Sequence, residues 1–199
     1  MPARASEPIT VVYGAGRSQL MNLTMDGQSQ LEKGNLEAAQ RNLDTVIKAD
    51  PTFYPAYYVR ARVFLLQRKY QEAVQDFNEA LRKDSTFAEA ALLRARANYY
   101  LVRYSESLKE IEHVVNIRPR QDALARAYCD RAWLRLNCPD QSYRNGQQAL
   151  KDATSACKLI CVERRGDDRY LGDRLCRNRR LRLRGALRRE SLSRQRREA

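Results

Sequence analysis

Cysteine and histidine are the side chains whose spacing would reveal a metal or nucleophilic site, because thiolates and imidazoles act as metal ligands, nucleophiles and bases. The chain has five cysteines and one histidine, at Cys129, Cys138, Cys157, Cys161, Cys176 and His113. No C-x-x-C pair occurs and His113 is distant in sequence, so the spacing predicts no metal site. Cys157 and Cys161 could share a helix face, but two ligands do not make a site. Cys138 and Cys157 are expected to pack as thiols rather than form a disulfide.

Catalytic patterns are equally sparse. The G-A-G at 14–16 lacks the third glycine of a nucleotide-binding loop and precedes no βαβ unit. A serine or cysteine nucleophile would need a base, and His113 is expected at the surface or edge of a helix. Acidic residues are scattered and are interpreted as solvated charge on helix faces. The sequence therefore predicts no enzyme and no cofactor.

The positive charge is unevenly distributed. The chain of 199 residues has a net charge of +13, but residues 161–199 hold 14 arginines, no lysine and only six acidic residues, and so contribute +8 of it. The first 160 residues mix lysine with arginine and carry the remaining +5. With 43% hydrophobic residues the chain can build a core, and no apolar run approaches the roughly 20 residues of a membrane span.

A step of 34 residues relates the small and apolar positions of the first part. The residues in step are Gly27, Ala61 and Ala95; Ala39, Ala73 and Ser107; Leu43, Phe77 and Ile111; and Val46, Ala80 and Val114. Small residues allow two helices to approach closely, and the larger ones fill the space between repeats, so the period predicts helix–turn–helix units. The expected helix pairs are 19–32 with 35–48, 54–67 with 70–82, 88–101 with 104–117, and 122–137 with 145–160.

A fourth, irregular unit follows the three regular ones. Ala132 stands in the Arg-Ala context of Arg60-Ala61, and Ala149 follows it after 17 residues where the other units have 12. The five extra residues fall in C-P-D-Q-S-Y-R-N-G (138–146), a loop by its proline, asparagine and glycine.

These markers resemble the tetratricopeptide repeat family over roughly residues 20–160, and the longer loop is similar to a variant in bacterial, planctomycete-like proteins. The resemblance implies an all-α fold, a right-handed α-solenoid of about four helix–turn–helix pairs. We expect a flexible arm over 1–18, a repeat domain over 19–160 and an Arg-rich tail over 161–199, poorly ordered or irregularly helical. The repeats are expected at about 20–53, 54–87, 88–121 and 122–160.

The family binds peptides in a concave groove lined by the first helix of each repeat. Carried over by register, the groove positions are Thr24, Tyr58, Leu92 and Cys129; Gln28, Arg62, Arg96 and Trp133; and Leu31, Leu65 and Tyr99, with Tyr100 beside them. Among these, Tyr58, Arg62, Arg96, Tyr100 and Trp133 would form a basic, aromatic peptide-binding groove. The alternative is that the aromatic residues belong to the core between repeats and the arginines are merely solvated.

The resemblance thus predicts a cytoplasmic, non-catalytic scaffold for a protein or peptide partner, with an acidic partner favoured and no small-molecule substrate. The family's chaperone-binding members hold a terminal carboxylate with Lys and Asn. Here the corresponding positions are Thr24, Gln28, Val59, Glu89 and Leu93, so chaperone C-termini are not expected.

The arginine-rich tail allows two further hypotheses. As an evolved segment, it would bind nucleic acid or an anionic surface, which is the alternative function. Arginine without lysine is also typical of a GC-rich gene translated out of frame, and a frameshift is the interpretation we favour. In that case nucleic-acid binding is not expected, and an uncapped last repeat would expose apolar surface and allow self-association.

Overall fold

The computed structural model describes residues 16–163, without the side chains of 161–163, and these residues contain helices and turns but no strand. The helices are α1 (Arg17–Glu32), α2 (Leu36–Ala49), α3 (Tyr54–Leu66), α4 (Tyr70–Lys83), α5 (Ala88–Tyr100), α6 (Tyr104–Ile117), α7 (Gln121–Asn137) and α8 (Gly146–Glu163), with a 3₁₀ turn at Gln141–Tyr143. The predicted all-α fold of about four helix pairs is confirmed. Most of the arm at 1–18 and nearly all of the tail, with the frameshift hypothesis attached to it, lie outside the described residues.

The chain divides into two compact units, Met1–Ser85 and Thr86–Ala199. In the first unit, α1 packs on α2, α3 packs on α4, and α3 also contacts both α1 and α2. In the second unit, α5 packs on α6, α7 packs on α8, and α7 also contacts both α5 and α6. Each unit therefore consists of two helix pairs joined by their neighbouring faces.

The residues in 34-residue register lie in the cores of their units. Gly27 and the eleven residues in step with it are all buried. A Cβ on Gly27 would stand 3.0 Å from Cγ of Leu43, so the close approach of α1 to α2 depends on a very small residue there. The predicted roles of the small and large positions are confirmed.

The first three helix pairs use the same three-residue turn. Gly34, Arg68 and Val102 occupy its left-handed position, with φ of 82°, 62° and 65°. In all three turns the following N–H donates to the carbonyl five residues back at 2.9 Å, and thereby satisfies an otherwise unpaired carbonyl at the helix end. Only the first turn has the glycine that this backbone conformation favours.

Val102→Gly is expected to raise the free energy of unfolding by about 0.5–1 kcal/mol. A left-handed backbone costs an L-residue about 1–2 kcal/mol, and a β-branched side chain suits it least, whereas glycine gives back part of the gain through unfolded-chain entropy. Val102 is 68% exposed, so little packing is lost. Urea unfolding measures the change. Lys109→Gly, at an exposed site inside α6, is the control and should destabilise by about 1 kcal/mol. Equal destabilisation by both variants would contradict the prediction.

Candidate functional site

In the first unit, two of the predicted groove residues contact each other on α3. The guanidinium carbon of Arg62 lies 5.7 Å from the ring centre of Tyr58, a cation–π distance. The Tyr58 ring packs at 6.3 Å against the ring of Phe77 on α4. Both Tyr58 and Arg62 are half-buried, so the unit presents one edge of an aromatic ring with a cation across its face.

In the second unit, five aromatic side chains form an aromatic cluster, which comprises Tyr99, Tyr100, Tyr104, Trp133 and Tyr143. Tyr99 is its centre: ring centroids lie 4.9 Å away at Trp133, 5.3 Å at Tyr104 and 5.7 Å at Tyr100. The Tyr99 hydroxyl donates to the Asn137 carbonyl at 3.4 Å. Trp133 is 49% and Tyr100 is 51% exposed. The cluster therefore offers two half-exposed rings that are held in place by partly buried ones.

Positive charge lies on the same helix as two of these rings. Arg96 is exposed on α5, four residues before Tyr100, and residues at this spacing share a helix face. Burial raises the pKa of the Tyr99 hydroxyl, and the positive charge of Arg144 opposes that rise. The phenol therefore stays protonated at neutral pH and remains a hydrogen-bond donor.

The predicted residues thus fall into two groups, one in each unit. Tyr58 and Arg62 contact each other in the first unit, and Arg96, Tyr100 and Trp133 belong to the second, where Tyr99 contacts the rings of Tyr100 and Trp133. Three further positions carried over by register, Thr24, Leu31 and Leu92, are buried and offer no binding surface, so their assignment to the groove was wrong. The Thr24 hydroxyl donates to the carbonyl of Leu20 within α1 at 2.8 Å.

Two members of the aromatic cluster were missed from the sequence. Tyr104 begins α6, a second helix of a pair, and Tyr143 comes from the inserted loop. Neither lies at a groove position, so the register gave no reason to choose them. The only sequence signal was a tyrosine inside an insertion that otherwise has loop composition.

Buried polar pairs between the two helices of each pair were also missed. Arg60 donates to both carboxylate oxygens of Asp76 at 2.7 and 2.8 Å, and Arg94 donates to Glu110 at 2.6 Å. At the equivalent positions of the first pair, the Asn42 amide donates to Asp26. In all three the partners are 16 residues apart, so these pairs follow the 34-residue register.

The fourth pair keeps the same contact across its insertion. Arg131 donates to both carboxylate oxygens of Asp152, 21 residues further on, at 2.9 and 2.7 Å. The five additional residues match the predicted length of the insertion, which therefore leaves the packing of α7 on α8 unchanged. Arg135 donates to Asp152 as well, at 2.9 Å, and also to Glu112 on α6.

These pairs correct the expectation that the acidic residues are solvated. Asp76 and Asp152 are buried, and burial raises the pKa of both Asp76 and Glu110 against the opposing effect of their arginine partners. Burial alone would lower the pKa of Arg60, but hydrogen bonds to Asp76 and Asp44 raise it above its ordinary value. Such pairs fix which helix faces meet, so they act in folding rather than in catalysis.

The candidate nucleophiles show no catalytic arrangement. Cys138 is buried and is not in a disulfide, and burial raises the pKa of its thiol, which disfavours the reactive thiolate. His113 is exposed on α6. Within residues 16–163 no three His, Cys, Asp or Glu side chains are grouped so that they could hold a metal ion. The Cys161 side chain and Cys176 lie outside the described residues.

The first unit also has a small polar cavity of about 350 Å³, where α1 and α3 begin and α2 ends. Its lining includes Arg17, Asp50 and Tyr54. The Asp50 carboxylate accepts the Thr52 N–H at 2.8 Å and the Thr52 hydroxyl at 2.7 Å, and these bonds lower the pKa of Asp50. The carboxylate is therefore engaged in the local turn. In the described part of the chain no helix is long and apolar enough to cross a membrane.

Comparison with known proteins supplies the family. Residues 24–86 match the sequence model of the tetratricopeptide repeat. No curated protein matches the sequence significantly. Among solved structures, MamA from Desulfovibrio magneticus RS-1 is similar, with a TM-score of 0.58 and 16% identity over 76% of this chain and 80% of that one.

Two other solved structures are peptide-binding proteins by their descriptions. YrrB, described as a tetratricopeptide protein with an unusual peptide-binding site, has a TM-score of 0.54 and 17% identity over 69% of this chain and 66% of its own. The first repeat domain of Spaghetti (RPAP3), bound to the HSP90 peptide SRMEEVD, has a TM-score of 0.51 and 20% identity over 58% of this chain and 94% of its own. At these identities the likeness shows the fold alone.

Proposed function

We propose that this chain, a tetratricopeptide repeat protein by its matched residues 24–86 and by its fold, is a non-catalytic scaffold that binds a peptide segment of a protein partner. The first helices of the repeats would supply the contacts. Tyr58 and Arg62 contribute from the first unit, and Arg96, Tyr100 and Trp133 from the second. The peptide-binding structures of the same fold support the proposal.

The half-exposed rings of Trp133 and Tyr100 are the observation that carries this proposal. Tryptophan, tyrosine and arginine are the residues that most often dominate the binding energy of protein interfaces. Tyr99 contacts both rings, and Tyr104 and Trp133 flank Tyr99, so the rings are already ordered before a partner arrives. Less conformational entropy is then lost on binding, which raises affinity.

An acidic peptide is the partner that the charges favour. The exposed guanidinium of Arg96 and the half-buried one of Arg62 can each bind a carboxylate with two parallel hydrogen bonds. Chaperone C-termini remain excluded from the proposal, because the positions that would clamp a terminal carboxylate hold other residue types, and one of them, Val59, is buried.

Binding of labelled peptides to the full chain tests the proposal. The probe is a fluorescein-labelled ten-residue peptide with four glutamates and one central phenylalanine, and its partner has glutamine in place of glutamate. We expect the acidic probe to bind more tightly, and Trp133→Ala to weaken its binding at least tenfold, since loss of an aromatic anchor costs about 2 kcal/mol. Fluorescence anisotropy measures both affinities.

Leu150→Ala is the matched control, because Leu150 is an exposed apolar residue of the same unit on a second helix, α8. It should leave the affinity unchanged. Equal effects of Leu150→Ala and Trp133→Ala would contradict the proposal. A loss of affinity of about a thousandfold between 50 and 200 mM salt would indicate release of many counterions and favour the nucleic-acid alternative instead.

A further inference from the structure

We infer that the loop inserted in the fourth helix pair, Cys138–Asn145, determines which peptide side chain is accepted beside Trp133. The inference rests on the proposed function and deepens it. Its positioning residue is Tyr143, which acts through other rings, and the side chain accepted is a large apolar or aromatic one next to a carboxylate.

The loop differs from the turns of the other pairs in length. Three residues separate the two helices in each of the first three pairs, as at Leu101–Arg103 between α5 and α6, whereas eight separate α7 from α8. Since the Arg131–Asp152 contact keeps the helices of the fourth pair in the usual register, the additional residues do not serve to change their packing. They form an additional structure at the turn edge of the second unit.

That structure is ordered by its own hydrogen bonds. The Asp140 side chain accepts the Ser142 N–H at 2.9 Å, and the Arg144 guanidinium donates to the Cys138 carbonyl at 2.6 Å. The Asn145 N–H donates to the Arg135 carbonyl at 2.9 Å, and its side chain caps α8 by accepting the Gln148 N–H at 3.0 Å. Tyr143 therefore projects from a fixed backbone.

Ring contacts connect the loop to the exposed tryptophan. The Tyr143 ring lies 6.0 Å from Tyr104, Tyr104 lies 5.3 Å from Tyr99, and Tyr99 lies 4.9 Å from Trp133. All three distances are within the range of favourable edge-to-face or tilted packing. Because each ring restricts the next, loss of Tyr143 frees Tyr104 and Tyr99 to move, and Trp133 loses its fixed wall.

The chemistry of this surface defines the ligand side chain. Trp133 and Tyr100 both meet Tyr99 at steep angles, 68° and 81°, so their exposed parts flank a central ring instead of stacking flat on it. A large apolar or aromatic side chain can pack against such a set of rings with the geometry that aromatic pairs prefer. Arg96 on the Tyr100 helix face then favours a carboxylate in the adjacent ligand residue.

Trp133 is the chain's only tryptophan, so its fluorescence reports on this surface alone. The probes are the acidic peptide with central phenylalanine and its alanine counterpart, both without tryptophan, titrated into the full chain. For Tyr143→Ala we expect Trp133 emission to shift to longer wavelength and the preference for phenylalanine over alanine to fall about tenfold. Tyr143→Phe should retain both properties, because the ring contact with Tyr104 survives.

Two further variants complete the design. Gln141→Ala, an exposed change in the same loop, is the control and should leave emission and preference unchanged. Tyr143→Leu keeps apolar bulk without the ring, and should lose the preference even if Tyr143→Ala fails to fold. Phenylalanine preference unchanged in a folded Tyr143→Ala or Tyr143→Leu protein would overturn the inference and leave the scaffold intact. Failure of the wild type to bind either peptide would instead overturn the proposed function.

Discussion

Asp152→Ala is expected to lower the free energy of unfolding of the second unit by about 3–5 kcal/mol, because removal of one partner leaves buried charge without compensation. Asp152 is 2% exposed and accepts hydrogen bonds from both Arg131 and Arg135. Without its carboxylate, two largely buried guanidinium groups lie between α7 and α8. Arg135 retains its contact with Glu112, but Arg131 loses both of its bonds to Asp152.

Urea unfolding followed by Trp133 fluorescence measures this loss, since Trp133 lies on α7 itself. Lys151→Ala is the matched control: it removes a charge at the neighbouring, exposed position of α8 and should change stability by less than about 0.5 kcal/mol. Asp152→Asn keeps the shape and one acceptor, and should fall between the two. Similar stabilities for Asp152→Ala and Lys151→Ala would show that the buried carboxylate does not hold the pair together.

The helices and their register could be predicted because they depend on a pattern that repeats along the chain. Ala61 and Ala95 mark the same buried position by size alone, and each helix begins and ends within three residues of its expected bounds. The length of the insertion followed from the spacing between Ala132 and Ala149. Hydrophobic periodicity is a local property of the sequence, and three copies of it reinforce one another.

The buried ion pairs could not be predicted from the same pattern, although they share its period. An arginine and an aspartate 16 residues apart are read from sequence as surface charge, because isolated charges are rarely buried. Only the facing of α3 with α4 brings Arg60 and Asp76 together and makes their burial tolerable through two hydrogen bonds. Burial of polar groups is decided by tertiary packing, which composition does not record.

The candidate site shows the same division. Trp133 and Tyr100 were found by their register on first helices, and both are half-exposed as a binding surface requires. Thr24 and Leu92 satisfied the same register but are buried. Tyr143 escaped detection because a loop has no period, so nothing in the sequence relates it to Tyr104 until the backbone of the insertion is known.

Phe77→Ala is expected to destabilise the first unit by about 3–5 kcal/mol, because truncation of a fully buried phenylalanine forfeits its burial and leaves a cavity. Hydrogen exchange of the α3 and α4 amides measures the loss. Leu66→Ala, at an exposed apolar position of α3, is the control and should change stability by less than about 0.5 kcal/mol. Phe77→Leu should cost less than Phe77→Ala because most of the volume remains.

The Phe77 ring also packs against Tyr58, whose other contact is the guanidinium of Arg62. Phe77→Ala therefore removes the inner support of the first unit's candidate binding residues without touching their exposed atoms. We expect weaker binding of the acidic peptide even at temperatures where the variant remains folded, whereas Leu66→Ala should bind as the wild type does. A folded Phe77→Ala protein with unchanged affinity would show that Tyr58 does not depend on the core for its position, and would remove the first unit's residues from the proposed surface.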